Sequence, residues 1–266
     1  MTEFLELCQQ AARIGGARLT DWQSRFRATE KSVNDFVTDA DFASQQAIHD
    51  FLHQHVPDHG FAGEEDLSLS MSENRDSPYR WIVDPLDGTL NYVHQLPSWS
   101  VSIALQQGDR MIAGAVYDPW LDELYSAARN EPATLNGKTI QPRDCTRLSQ
   151  ALLVVSLPPN VTDTSPELND LVQLLCATRS VRRLGSAALN LCYVAAGRID
   201  AYWASSLKLW DIAAGWLILE QAGGCLLDPE GNPLDPQRPR LVAAATGPLA
   251  RQVISVLQVP PAEPPA

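Results

Sequence analysis

Apolar residues recur at helical spacing at the start of the chain: Phe4, Leu5, Leu7, Ala11, Ala12, Ile14, Ala17 and Leu19. That pattern predicts an amphipathic helix running to about residue 26. KSVNDFVTDAD (31–41) is polar and turn-like around one short apolar stretch. Thr38 or Asp39 is placed to cap a second helix carrying Phe42, Ala47, Ile48, Phe51 and Leu52 on one face, and Pro57 ends it. FAGEEDL (61–67) reads as a short strand closing on acidic residues, with a polar loop following through Pro78. From Trp81 the pattern turns to strands: WIVD, WSVSIALQQ (99–107), MIAGAVYDP (111–119) and ELYSAAR (123–129). With Gly108-Asp109 as a tight-turn signal, these predict an antiparallel meander, and TLNGKTI (134–140) one more hairpin.

Beyond about residue 150 strands alternate with helices. ALLVVSL reads as a buried strand, PELNDLVQLLCAT as a helix and SVRRLG as a short strand. SAALNLCYVAAG is a second helix, RIDAYWA a strand, and DIAAGWLILEQAGG a helix that ends at glycine, as helices prefer. The division predicted is an N-terminal α+β half over 1–145, a C-terminal α/β half over 146–258, and a proline-rich disordered tail, VPPAEPPA, over 259–266.

Length and charge narrow the function. The 266 residues suffice for one large domain or two closely packed halves with a sizeable core. A formal net charge of −12 argues against nucleic acid and anionic membranes as partners, since both demand basic patches. It also requires that an anionic substrate be met by a local positive charge. Five scattered cysteines with no CxxC pair argue against a disulfide framework or a cysteine zinc site and favour a reducing compartment. No stretch approaches the ~20 apolar residues of a membrane span. The N-terminus lacks a basic start and an apolar h-region, so the cytoplasm is the expected location.

WIVDPLDGTLNYVH (81–94) carries the sharpest chemical signal. Asp84 and Asp87 stand three apart around a proline that fixes the turn, so both carboxylates and the Leu86 carbonyl can face one point. Hard cations such as Mg²⁺ take oxygen ligands and keep waters, so a few carboxylates plus substrate phosphate suffice. Gly88 permits close backbone approach, and the amides of Gly88, Thr89 and Leu90 would open a helix whose N-terminus suits a phosphate. The bland reading of the same letters is an Asp-Pro turn in which Asp87 caps a helix. Gly63-Glu64-Glu65-Asp66 places three adjacent carboxylates where self-repulsion invites a cation, or simply a solvated loop. Asp211 in LKLWDIAAGW stands at a helix start, where an N-cap is the ordinary role.

GEED, DPLDGTLNY and WDIAAG, in that order, resemble the signatures of the inositol monophosphatase family of lithium-sensitive, magnesium-dependent phosphatases. KSVNDFVTDAD and LGSAALNLCYVAAGRIDAYW extend the resemblance to nearly the whole chain, from residue 4 to about 245. It implies the family's layered αβαβα sandwich and a homodimer. It also implies two or three Mg²⁺ ions held by Glu64, Asp84, Asp87, Asp211 and the Leu86 carbonyl. Glu64 and Thr89 would hold the attacking water, with Asp41 accepting from the Thr89 hydroxyl as a proton relay and Glu65 supporting from behind. Gly88 and Thr89 amides would hold the phosphate, while Gly185, Ser186 and Ala187, with Asp87 and Asp211, would border the alcohol.

One position departs from the pattern. Inositol-selective members carry an acidic residue where this chain has Ala204, in AYWASSLKLWD. Alanine cannot accept a hydrogen bond, and lost pairing to hydroxyls weakens discrimination. Lys208 nearby favours a more anionic substrate. Inositol monophosphate therefore competes with histidinol phosphate, fructose 1,6-bisphosphate and 3′-phosphoadenosine 5′-phosphate. A different class of function is a regulatory binding protein of the same fold, contacting transcription machinery. HDFLH (49–53) spaces two histidines as zinc motifs do but has Asp50 where those place glutamate. Arg182-Arg183 reads as structural or as a subunit contact, and no GxGxxG or P-loop supports nucleotide chemistry.

Overall fold

The computed structural model describes residues 2–32, 35–65 and 77–258. Asp66, the polar loop beyond it through residue 76, and the tail 259–266 lie outside the described residues. Two long helices open the fold, α1 (Thr2–Trp22) and α2 (Asp39–His55), with the hairpin β1 (Ala28–Ser32) and β2 (Asp35–Thr38) between them. α1 stops four residues short of the periodic expectation. The chain turns at Trp22, whose carbonyl accepts from Arg25 and Phe26, and the Phe26 ring turns onto Tyr92, 5.1 Å between centroids. Tertiary packing of one aromatic overrides the continuing helical pattern.

The predicted meander forms the centre of a seven-stranded sheet. Its members in spatial order are β3 (Gly60–Gly63), β4 (Tyr79–Asp87), β5 (Ser100–Gln107), β6 (Arg110–Asp118), β7 (Glu123–Ala128), β8 (Thr134–Leu135) and β9 (Lys138–Thr139). All neighbours are antiparallel except β3, which lies parallel to β4 at the edge. A short helix, α3 (Thr89–Val93), follows β4.

The C-terminal half builds a five-stranded mixed sheet from β10 (Leu152–Ser156), β11 (Ser180–Arg182), β12 (Ala201–Ala204), β13 (Cys225–Leu227) and β14 (Leu241–Ala244), in the order β11-β10-β12-β14-β13. Its helices are α4 (Pro166–Ala177), α5 (Ala187–Ala195), α6 (Leu209–Ala222) and α7 (Gly247–Leu257). β13, β14 and α7 go beyond the sequence expectation, which stops at Gly224. Thr246 and Pro248 carried the missing signal: the Thr246 hydroxyl caps α7 by accepting from the Leu249 amide at 3.3 Å, with the proline in the first turn.

Three apolar cores separate the layers. α1 and α2 cover one face of the large sheet through Leu7, Ala11, Ile48 and Leu52 against Trp81, Val101 and Ile103. α5 and α6, nearly apolar all round, fill the middle between the two sheets, with Leu189, Leu191, Ile212 and Leu217 meeting Ile82, Val116, Tyr202 and Ala243. α4 and α7 close the outer face of the small sheet through Leu174, Leu249 and Val253. The order is helix, sheet, helix, sheet, helix. None of the helices among the described residues is long and apolar enough to cross a membrane.

Candidate active site

β4 brings two buried aspartates to one end of the large sheet. Its apolar start, Trp81-Ile82-Val83, is buried on both faces, and the strand continues past Pro85 to Asp87 rather than ending at Asp84. Asp84 pairs with Ser102 and Asp87 with Ser100, so three steps on β4 match two on β5. This bulge holds the extra residue and re-aims the side chains that follow. The Asp84 carboxylate folds back to accept from the Leu86 amide at 3.0 Å, and Ser44 of α2 donates to the Pro85 carbonyl at 3.0 Å.

Gly88 then turns the chain into α3 with φ +97°. A Cβ there would stand 2.9 Å from the Ser98 carbonyl, so the turn demands glycine on both conformational and steric grounds. Thr89 presents its hydroxyl 3.1 Å from the Leu86 carbonyl and 3.4 Å from Asp41 Oδ1, the second a long contact. Asp41 is fully buried at the start of α2, where its other oxygen accepts from the Thr38 amide at 2.9 Å and the Thr38 hydroxyl at 2.6 Å. Of the two cap candidates, Thr38 and Asp39, the helix uses Thr38, which accepts from the Ala40 amide and forms a capping box with Asp41.

Asp87 reaches across to the second half. Ser186 donates its hydroxyl to Asp87 Oδ2, the Ala188 amide donates to the same oxygen at 2.7 Å, and the Ala187 amide donates to Oδ1 at 3.1 Å. A carboxylate at the start of α5 also meets the positive end of that helix. Gly185, φ +105°, sits against Asn91, whose side-chain amide bonds both the Ser98 and Leu184 carbonyls at 2.7 Å. Asn91 therefore ties α3 to the Gly185-Ser186 turn. The sequence reading did not single it out, and its position inside TLNY was the available signal.

Asp211 enters from α6. It is not the N-cap: Lys208 holds that position, and Asp211, third in the helix, accepts from the Lys208 amide at 2.7 Å. A lysine side chain has no acceptor, so only this half of a capping box exists. Glu64 follows β3 directly, its amide donating to the Val83 carbonyl at 3.1 Å, and the Glu65 amide donates to Gln45 Oε1 at 3.0 Å. Asp66, the third acid of that run, is outside the described residues.

The charges of this cluster act on one another. Burial first, then Glu64, Asp87 and Asp211, push the Asp84 carboxyl well above the ordinary aspartate range. Burial lifts Asp87 to about 6 against the opposing bonds from Ser186, Ala188 and Ala187. Asp211 is pushed up to about 7 by burial and by Asp87, with the Lys208 amide and ammonium opposing. Asp211 retains some solvent exposure, which moderates its shift. Among the described residues, no three His, Cys, Asp or Glu side chains stand close enough to share an ion as they lie. Asp87 is turned onto α5, yet Oδ1 accepts a single hydrogen bond and keeps capacity for a ligand. The donors are all oxygens, four of the groups are carboxylates, and burial leaves them costly without a cation. That set fits a hard divalent ion.

Comparison with known proteins agrees with this architecture. The family model described as "Inositol monophosphatase family" matches residues 1–259. Nus factor SuhB of Pasteurella multocida is 39% identical over 265 residues, 97% of each chain. An inositol-1-monophosphatase of Mesorhizobium japonicum is 40% identical over 85% of each chain. Among solved structures, the extragenic suppressor protein suhB of Bartonella henselae superposes with a TM-score of 0.90 at 32% identity, covering 96% of this chain and 98% of that one. The inositol monophosphatase of Anabaena gives 0.86 at 35%, covering 98% and 97%. With the family model spanning nearly every residue and the fold matched end to end, the chain belongs to the inositol monophosphatase family.

Proposed function

We propose that the protein is a Mg²⁺-dependent phosphomonoesterase acting on a small phosphate ester. The observation that carries this reading is Asp84: a carboxyl raised by burial and then by three further acids, Glu64 just after β3, Asp87 on the same strand and Asp211 in α6. Glu64, Asp84, Asp87, Asp211 and the Leu86 carbonyl would hold two or three ions. When bound, Mg²⁺ neutralises charge on phosphoryl oxygens and lowers the pKa of a water. Glu64 and Thr89 would orient the attacking water, and Asp41 would draw its proton through the Thr89 hydroxyl. Gly88 and Thr89 amides would receive the phosphate, with Glu65 steadying Glu64. Gly185, Ser186 and Ala187 would border the alcohol, beside Asp87 and Asp211. These groups come from both 1–145 and 146–258, the two halves of the proposed division.

Inositol monophosphate is the first candidate substrate. Ala204 weighs against strong selectivity for it, since the residue is fully buried at the end of β12 and offers only a methyl group. 3′-Phosphoadenosine 5′-phosphate, histidinol phosphate and fructose 1,6-bisphosphate are the alternatives. The cytoplasm suits a protein whose five cysteines are all free. A homodimer is also proposed: exposed Leu90, Val172 and Leu175 leave apolar surface for a second copy to cover.

The test is phosphate release from a panel of these esters with and without Mg²⁺. Metal-dependent release from at least one is expected, as is inhibition by millimolar Li⁺. A second reading, a regulatory binding protein without turnover, is favoured by the 39% identity to a protein named Nus factor SuhB. Folded, Mg²⁺-saturated protein that cleaves nothing on the panel would promote it.

A further inference from the structure

The segment that replaces an acidic residue with Ala204 also walls a cavity of about 650 Å³, between residues 205–210 and 236–240. Lys208, Arg238 and Arg240 line it, together with Ser205, Trp210 and Gln237, and no acidic residue does. In a chain with 32 acids against 20 bases, three cations at one cavity are a local reversal of the field. Arg240 is already matched, pairing with both oxygens of Glu230 at 2.9 and 3.0 Å. Arg238 makes no ion pair among the described residues, and the Lys208 ammonium acts on Asp211 only through space.

Two further facts mark this cavity. The Ser205 hydroxyl and the Trp210 indole N–H are buried with no hydrogen-bond partner. Both are donors closed to solvent as the side chains lie, so the wall of the cavity carries polar groups not spent on the fold. The cavity also adjoins the carboxylate cluster, because Lys208 lines it while its own amide holds Asp211 at 2.7 Å. A ligand whose phosphoester lies at the cluster therefore has a donor-rich, acid-free space beside its alcohol moiety.

We propose that this cavity receives a second phosphate of the substrate, so that small bisphosphates are preferred to their monophosphates. The proposal rests on the phosphatase reading above and moves the bisphosphates among its candidates ahead of inositol monophosphate. Lys208 and Arg238 supply charge-assisted hydrogen bonds to that phosphate. The exposed Arg238 makes the preference dependent on ionic strength.

Two measurements test this. The first compares kcat/KM for fructose 1,6-bisphosphate with fructose 1-phosphate, and for 3′-phosphoadenosine 5′-phosphate with adenosine 3′-monophosphate, under saturating Mg²⁺. At least one bisphosphate should lead its monophosphate about tenfold, and Lys208→Met/Arg238→Met should erase that lead, mainly through KM. Absence of any lead, or a lead unchanged in the double variant, overturns the proposal. The second titrates the protein with inorganic pyrophosphate in EDTA at low salt, where the carboxylate cluster repels anions. A saturable change in tryptophan fluorescence is expected, abolished by Lys208→Met/Arg238→Met and by Trp210→Phe. No saturable change, or one indifferent to the double variant, overturns it. If no ester is cleaved with Mg²⁺, the phosphatase reading fails, and the pyrophosphate titration still decides the cavity.

Discussion

Two of the places where this fold holds carboxylates solve the problem in opposite ways. On β7 of the large sheet, Glu123 accepts from both terminal nitrogens of Arg198, at 2.6 and 2.5 Å, and from the Tyr125 hydroxyl at 2.9 Å. The bonds from Arg198 hold its carboxyl below the ordinary range, and Arg198 itself lies over the Tyr193 ring at 5.3 Å. In the second place, Asp84, Asp87 and Asp211 are raised, with backbone amides, a serine hydroxyl and one exposed lysine as their described opposition. A carboxylate supplied with an internal cation stabilises the fold as it stands. A cluster left without one is poised for a cation from solution, and its cost is borne by the three packed cores around it.

The largest expected effect removes the acids that await a cation. Asp87→Asn and Asp211→Asn should each lower Mg²⁺-dependent turnover by orders of magnitude, roughly 10²-fold or more, while circular dichroism stays native. Near-normal turnover in either would sink the assignment of that residue to the metal site. Gly88→Ala comes next. It places a Cβ against the Ser98 carbonyl at positive φ, so a loss of about 1–3 kcal/mol in denaturant melts is expected, together with a fall in kcat. A neutral result in both would show that the turn adapts.

Breaking the internally paired site should act on stability alone. Among the described residues, Arg198→Met leaves Glu123 with only the Tyr125 hydroxyl, at a cost of about 1–3 kcal/mol, because that carboxylate is mostly buried. Its kcat should be unchanged, and a selective loss of activity would undo the contrast between the two regions.

The smallest effect is in pH. A carboxyl raised in the fold favours the folded state while protonated, and that contribution is lost as pH rises through its folded value. For Asp87 and Asp211 those values are about 6 and about 7. Protein in EDTA should therefore melt a few degrees (roughly 2–4 °C) higher near pH 5.5 than at pH 8, with Mg²⁺ raising the pH 8 melt. Glu123, lowered instead, contributes stability above the unfolded glutamate range and loses it only as pH falls below that range. A melt in EDTA that is flat or rises from pH 5.5 to 8 would show that the cluster does not carry this cost.

Much of the site could be read from letters because the local chemistry is local. Asp84, Asp87 and Gly88 sit within five residues, and Pro85 and Leu86 between them leave few ways to fold. Thr38 was legible as one of two cap candidates for α2, while the box it forms with Asp41 is set by the fold. The meander from Trp81 to Thr139 was legible for the same reason, since neighbouring strands in sequence are neighbours in space. Asp211 was harder: a carboxylate in the first turn of a helix looks like a cap, and only the Lys208 amide beside it shows which position it holds. The short strands β13 and β14 went unread because three or four apolar residues carry no period.

By itself the sequence determined most of the helices and the central meander, the acid-rich turn after β4, and a family resemblance that the whole-chain comparisons bear out. Tertiary structure decided the rest. It inserted one extra residue into β4 opposite Ser100 and Ser102, carried Asp87 across to Ser186 and α5, and set Lys208 and Arg238 around one cavity. Those contacts join residues about 13 to 100 positions apart. No local propensity encodes such distances; the packing of two sheets around α5 and α6 does.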